Sequence, residues 1–216
     1  MESMDATLVA GLDIPGMHPA RQKRSRELVG DLLRAGLELL KDRDFDRLSI
    51  ADLCAATGIT VGSFYARFDG KDSYLQALQR AVVAETERAM ERDYRAGPWP
   101  RGLAGFIDWV VSTSVTWNRR YEGLIRASLR QAGRDPAAWT PLRDLGRTRV
   151  AHALPIALSL LGRPPTQADE DAIRFAFQIL AGTMNNMVLI NPGPFSIHDE
   201  ATPRMLSRAM LKLIEG

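Results

Sequence analysis

Small and hydroxyl-bearing residues crowd one short stretch of the sequence: Thr60, Gly62, Ser63, Tyr65 and Ala66, with Arg67 next and Lys71 four residues on. That combination suits the surface of a nucleic-acid duplex. Small residues let a backbone approach base edges, hydroxyls bond to bases or phosphates, and cations meet the phosphate backbone on either side of a groove. A polar helix face that merely meets water is the plainer reading of the same residues, so the choice depends on how they are held. Other chemistries find less support. His18, His152 and His198 are scattered, with no HExxH or comparable ligand spacing, and the sequence has no glycine-rich phosphate loop and no nucleophile elbow. Cys54 is the only cysteine, which excludes an internal disulfide and a cysteine-based metal cluster. It falls on an apolar face, as a small core residue does. The acidic run Asp169-Glu170-Asp171 opens a helix, where negative charge favours the positive end of the dipole. No catalytic residue, metal or cofactor is expected.

The residues around the stretch read as two helices joined by a tight turn. Ser49 caps the first, with Asp52 three residues on, near a capping-box spacing. Ile50, Leu53 and Cys54 share one apolar face of it. The helix ends at Thr57-Gly58, because glycine accepts the left-handed backbone found there. Thr60 caps the second helix, in which Val61, Phe64 and Phe68 repeat at helical spacing, and the small and hydroxyl residues lie away from that stripe. Helix, three-residue turn with glycine, helix is the form of a DNA-binding helix-turn-helix. Upstream, an amphipathic helix from Gln22 to about Leu40 carries the stripe Leu28, Leu32, Ala35 and Leu39, widened by Val29, Leu33 and Leu40. It supports the pair as a three-helix head.

The string from Ser49 to Lys71 resembles the tetracycline-repressor (TetR) family of bacterial transcription regulators. The resemblance rests on Ile50, Leu53, Cys54, Gly58, Ile59, Thr60, Gly62, Phe64, Tyr65, Phe68 and Lys71, which stand where the family signature has them. Thr57 stands where the family usually has alanine. A charged loop from Lys41 to Arg47 replaces the glycine that usually precedes the first turn helix. Together with the supporting helix before it, the motif covers about a quarter of the chain. It implies an all-α protein of about nine helices, with an N-terminal helix-turn-helix DNA-binding head and a C-terminal helical ligand-binding and dimerisation body. The function implied is a sequence-specific transcriptional regulator, a ligand-responsive repressor acting as a homodimer on a palindromic operator. Thr60, Ser63 and Ala66 are expected to face bases, with Gly62 allowing close approach and Val61 beside them. Ser49, Tyr65, Arg67 and Lys71 are expected at phosphates, joined by Arg24.

Composition leaves room for this reading without carrying it. The chain has 216 residues, 45% hydrophobic and 25% charged, the balance of an ordinary globular protein. A formal charge of +2 gives no global case for nucleic acid. The asymmetry is local: Arg21, Lys23, Arg24 and Arg26 crowd the entrance to the first helix, well placed for phosphates beside a helix-turn-helix. Glu2 and Asp5 stand where a leader would be basic and no long apolar run follows, so neither a signal peptide nor a membrane span is expected, and the expected location is the cytoplasm. Residues 1–19 mix Gly11, Pro15, Gly16 and Pro19 without period and read as a flexible tail. Residues 20–70 read as the DNA-binding domain and 71–216 as the effector-binding and dimerisation domain.

Beyond Asp69-Gly70 a fourth helix runs to about Tyr94, and the segment Arg95 to Pro100 stops it. Helices follow from Leu103 to about Asn118, from Tyr121 to about Gln131, and from Thr140-Pro141 to about Leu161 with Pro155 inside. Thr166 and Asp169 form a capping box for a helix to about Ile190, and Thr202-Pro203 opens the last, which ends near Ile214. No alternating run suggests a strand.

Phe106, Trp109, Val110, Thr113 and Trp117 share one helix face, and Tyr121, Ile125 and Arg126 follow on the next helix. Such aromatics either wall an apolar cavity with a few polar handles or fill one another's space. The resemblance favours the cavity, since family members bind effectors among these helices. It implies a small, largely apolar effector, with Phe177 on the wall and His152 and Asn185 as handles. The last two helices are apolar on most sides and must be covered on most sides. Phe175, Ile179, Gly182 and Met187 on one, with Met205, Ala209, Met210 and Leu213 on the other, are the expected dimer surface, a four-helix interface with two-fold symmetry. The competing class is an all-helical enzyme or a small-molecule binding protein with a vestigial helix-turn-helix. The intact string from Ser49 to Lys71 argues against the vestigial form.

Overall fold

Helix α1, Lys23–Asp42, turns its expected apolar face inward, centred on the residues that widen the stripe and not on the stripe itself. Val29, Leu32, Leu33 and Leu40 are buried, whereas Leu28, Ala35 and Leu39 are only half-buried. The cause is a tertiary contact. The Tyr74 hydroxyl donates to the Leu32 carbonyl at 2.7 Å, and its ring passes so close to Gly36 that a Cβ there would collide with the hydroxyl. Gly36 therefore sets the rotation of the helix by being the residue with nothing to collide.

The computed structural model describes residues 14–19 and 22–216. Glu2, Asp5, Gly11 and Arg21 lie outside the described residues. Among those described there are nine α-helices and no strand beyond one isolated bridge, an all-α fold. After α1 come a 3-10 turn at Phe45–Arg47, then α2 (Ile50–Thr57), α3 (Val61–Tyr65), α4 (Lys71–Ala96), α5 (Gly102–Arg120) and α6 (Glu122–Ala132). A second 3-10 turn, Pro136–Trp139, leads into α7 (Thr140–Ser159), and α8 (Gln167–Leu189) and α9 (Ala201–Glu215) complete the order. Thr140 is the first residue of α7, and Asp135 caps the preceding 3-10 turn by accepting from the Ala137 amide.

Two compact units divide the chain. The first takes the residues up to Ala89 together with Arg126–Arg143, and the second takes Met90–Ile125 with Asp144–Gly216. The first unit extends past residue 70 for a physical reason. Tyr74, Leu75 and Leu78 on α4 are among its fully buried side chains, and the buried Gln79 amide donates to Ser128 Oγ at 2.7 Å and to the Ala138 carbonyl at 3.1 Å. Residues 14–19, read from sequence as tail, are docked. Ile14 is buried, the His18 amide donates to the Arg67 carbonyl, and the Asp69 amide donates to the Gly16 carbonyl. His18 Nε2 and Asp69 lie 2.9 Å apart.

The second unit is built on a core that includes Phe106, Val110, Val111, Ile173, Phe177, Leu180, Met210 and Ile214, with α9 packed on α5 and α8. The expected capping box at the start of α8 is formed: Thr166 Oγ1 accepts from the Asp169 amide, and the Asp169 carboxylate accepts from the Thr166 amide. Arg163 adds two bonds to the same carboxylate, at 2.8 and 2.6 Å. Those bonds and Thr166 hold the Asp169 carboxyl well below its ordinary range.

Candidate nucleic-acid interface

The turn between α2 and α3 is fixed by backbone geometry. Gly58 ends α2 in the left-handed conformation, at φ 69° and ψ 25°, which glycine adopts at little steric cost. At the other end of α2, Ser49 and Asp52 exchange both bonds of a capping box. Thr60 then caps α3, its Oγ1 accepting from the Ser63 amide at 3.1 Å and pairing with Ser63 Oγ at 2.9 Å. Helix α3 has only five residues, too few to hold itself, so a side-chain anchor fixes its rotation. Phe64 is that anchor. Fully buried, it packs on Phe68 and Tyr74 with ring centroids 5.3 and 5.7 Å away.

With Phe64 inward, the helix must present its other faces to solvent. Tyr65 is 50% exposed and Val61 46% exposed, and Thr60, Gly62 and Ala66 are exposed with Ser63 half-buried beside them. Val61 thus leaves the apolar stripe on which its spacing put it, since it opens a one-and-a-half-turn helix and, among the described residues, no element covers it. Its methyl groups join the outward surface, where an apolar contact suits a thymine methyl.

The cations divide into two kinds. Arg24 is exposed at the start of α1. Lys71, expected at a phosphate, has another partner: its Nζ donates to the Phe45 carbonyl at 2.8 Å and lies over the Phe45 ring, 4.7 Å from the centroid. It thereby ties the start of α4 to the charged loop before α2. Ser49 is likewise occupied as a cap, its hydroxyl donating to Asp52 at 2.6 Å. Arg67 is half-buried, with Nη1 on the Ala66 carbonyl.

The charged loop is itself held from the same unit. Asp44 pairs with Arg130 at 3.0 Å and Asp46 with Arg134 at 3.7 Å. Arg126, read from sequence as a body residue, belongs to this unit. It lines a recess of about 450 Å³ with Lys41, Asp42, Arg43, Asp44 and Arg47.

In the second unit, several candidate effector residues are core. Phe106, Val110, Tyr121, Ile125 and Phe177 are buried, and Thr113 is exposed with its hydroxyl bonded back to the Trp109 carbonyl. Trp109, Trp117, His152 and Asn185 are half-buried. The structure joins Phe106, Trp109 and His152 through two rings that sequence reading missed, Tyr94 and Trp99. Tyr94 stacks on His152 at 5.3 Å and meets Trp109 edge-on at 5.1 Å, and Trp99 packs on Phe106 at 5.2 Å. Their signal was weak, one at a helix end and one in a proline-flanked linker.

Of the candidate dimer residues, Phe175, Gly182, Met205, Ala209 and Leu213 are exposed, and Ile179 and Met187 are half-buried. Met210 is the exception. It turns into the core of its own chain at 2% exposure, one position out of phase with the stripe Met205, Ala209 and Leu213.

A helix-turn-helix whose second helix is anchored by one aromatic and bared on its small-residue face, within an all-helical chain, defines a DNA-binding transcriptional regulator. Residues 32–78 match the sequence model described as bacterial regulatory proteins, tetR family, so this head is similar to that of the TetR family. Three solved structures extend the likeness of fold to most of the chain. GusR of Salmonella enterica matches with a TM-score of 0.60 and 18% identity over 88% of this chain and 96% of its own. FadR of Bacillus subtilis, in complex with stearoyl-CoA, matches with a TM-score of 0.60 and 16% identity over 85% and 96%. A tetR-family transcriptional regulator of Streptomyces coelicolor matches with a TM-score of 0.59 and 19% identity over 88% and 87%. No curated protein sequence matches the chain significantly. Among the described residues no helix is long and apolar enough to cross a membrane.

Proposed function

We propose that this regulator is a repressor that binds a palindromic operator as a homodimer and releases it when a small effector binds among the helices of the second unit. The observation that carries the reading is the outward face of α3, where Thr60, Val61, Gly62, Tyr65 and Ala66 are exposed on an anchored helix. Thr60, Ser63 and Ala66 face bases in this reading, Gly62 lets the backbone come close, and Tyr65, Arg67 and Arg24 meet phosphates. Arg47 and Arg126 supply further positive charge at the recess beside the loop. The cytoplasm, where the operator is, is its place of work.

The dimer surface is the stripe Phe175, Ile179 and Gly182 on α8 with Met205, Ala209 and Leu213 on α9. Apolar residues at three- and four-residue steps, exposed in the single chain except for the half-buried Ile179, favour a second copy as their cover. Among the described residues, nothing beyond the helix's own adjoining chain lies within 4 Å of a Cβ built on Gly182, which leaves room for a neighbouring backbone. The half-buried aromatic group of Tyr94, Trp109, Trp117 and His152 supports an effector with a substantial apolar part. The stearoyl-CoA bound by FadR is one such molecule on a chain of the same fold.

By linkage, an effector weakens operator binding only as far as it prefers the conformation that does not fit DNA. Titration of operator affinity against candidate ligands at constant salt tests the reading. A ligand that binds and lowers operator affinity is the expected result, and ligands that bind without changing it exclude the mechanism.

A further inference from the structure

Helix α7 carries one charge on a face that is otherwise apolar. Leu145, Arg149, Ala153 and Ala157 follow one another at four-residue steps, and the other three are buried. Arg149 Nη1 donates to Ser114 Oγ on α5 at 2.9 Å, and the guanidinium lies over the Trp117 ring, 5.9 Å from its centroid. Ser114 is buried and its own hydroxyl donates to the Val110 carbonyl at 2.6 Å, so the acceptor is held in place. Among the described residues no carboxylate pairs with Arg149. A guanidinium has five N–H donors in a planar fork, and the chain gives this one a single hydroxyl and an aromatic face.

The surroundings make that arrangement costly on its own. Burial pulls the Arg149 guanidinium below its ordinary pKa, with the Tyr94 hydroxyl opposing. The same burial pushes the Tyr94 phenol up to about 12, with Arg149 opposing. Arg149 is half-buried; a cation drawn partly out of water without a counter-ion destabilises a fold, and a bound anion offsets that cost through paired, charge-assisted hydrogen bonds.

We propose that Arg149 is the anchor for an anionic effector, an organic carboxylate whose aromatic or long apolar remainder lies against Tyr94, Trp109 and Trp117. This rests on the effector reading above and sharpens it, from a largely apolar molecule to one with a charged end. A single guanidinium balances a single negative charge, which selects a carboxylate over a doubly charged phosphate. The Ser114 bond holds one edge of the fork, leaving the other N–H groups to meet the two carboxylate oxygens.

Calorimetric titration of the full-length protein with two matched pairs tests the assignment: phenylbutyrate against phenylbutyramide, and dodecanoate against dodecanamide. In at least one pair the acid is expected to bind about tenfold tighter or more than its amide. Arg149→Met is expected to erase that gap, and Arg149→Lys to keep part of it. Amide and acid binding alike in the wild type, a gap that survives Arg149→Met, or no binding by any member would each overturn the proposal. The thermal midpoint of the ligand-free Arg149→Met protein serves as a second reading. It is expected to hold or rise, since a charge withdrawn from water is removed. A sharp fall would make the guanidinium a structural member and count against an anchor. The two readings can fail separately. Acids held through Arg149 that leave operator affinity unchanged would keep the anchor and sink the effector mechanism, whereas amides that release operator as well as acids do would have the reverse effect.

Discussion

Lys71 shows how a residue can stand where a motif requires it and still do different work. Its ammonium lies on the Phe45 carbonyl and over the Phe45 ring, so its charge holds the loop that leads into α2. We expect Lys71→Met to cost about 1–2 kcal/mol of stability, the scale of a charged hydrogen bond at a partly exposed site, measured by denaturant unfolding. The slope of log affinity for DNA against log salt should stay as in the wild type, and a slope shallower by about one would return Lys71 to a phosphate. Thr60 was legible at this scale, because cap chemistry is local and Phe64 fixes which residues face out. Lys71 was not, since spacing gives a residue's position and leaves its partner open. Arg149 stands at four-residue steps from Leu145 and Ala153, but that spacing carries no sign of Ser114 and Trp117, its partners on another helix.

At the scale of elements, both capping boxes were legible because Ser49 with Asp52 and Thr166 with Asp169 need only three residues of chain. The apolar face of α1 was legible but its rotation was not, because that is set by Tyr74, 42 residues away along the sequence. We expect Gly36→Ala to destabilise the protein by about 1–3 kcal/mol through overpacking against the Tyr74 ring, again measured by denaturant unfolding. In an ordinary exposed helix the same change would stabilise, so the sign tests the contact. The start of α8 makes a pH prediction. The Asp169 carboxyl titrates below its ordinary value of 3.8 when folded. Its contribution is therefore complete above that value and is lost as pH falls through the acid range. Asp169→Ala should lower the thermal midpoint at neutral pH, and the gap to the wild type should narrow as the pH is taken below about 4.

At the scale of the molecule, the all-helical order and the two apolar C-terminal helices were legible from period alone, since every element is long or strongly punctuated. The division into units was less so. Arg126–Arg143 joins the first unit although it follows Ile125 of the second, and no composition shift marks that exchange. The docking of Ile14 to His18 was hidden by its Pro and Gly content, which reads as tail when its backbone partners, Arg67 and Asp69, lie far along the sequence. The proposed dimer surface makes a direct prediction. Met205→Glu combined with Leu213→Glu places charge on the exposed stripe of α9, away from the buried Met210. Sedimentation equilibrium should show a monomer with a nearly unchanged thermal midpoint. Operator affinity should fall steeply, because half-sites are then bound one at a time. A dimer that persists would move the interface elsewhere.

The central claim is that the bared face of α3 meets DNA, and Gly62 offers the cleanest access to it. Among the described residues beyond the adjoining helix, a Cβ built there meets only Thr60 Oγ1, at 3.8 Å, so Gly62→Glu adds bulk and negative charge without disturbing the fold. The measurement is the affinity of wild type and variant, at one salt concentration, for the duplex upstream of the protein's own coding sequence and for a scrambled duplex of equal length. The wild type should prefer the upstream duplex by about a thousandfold or more. Gly62→Glu should lose that preference at an unchanged thermal midpoint. A variant that binds the upstream duplex as tightly as the wild type would contradict the account.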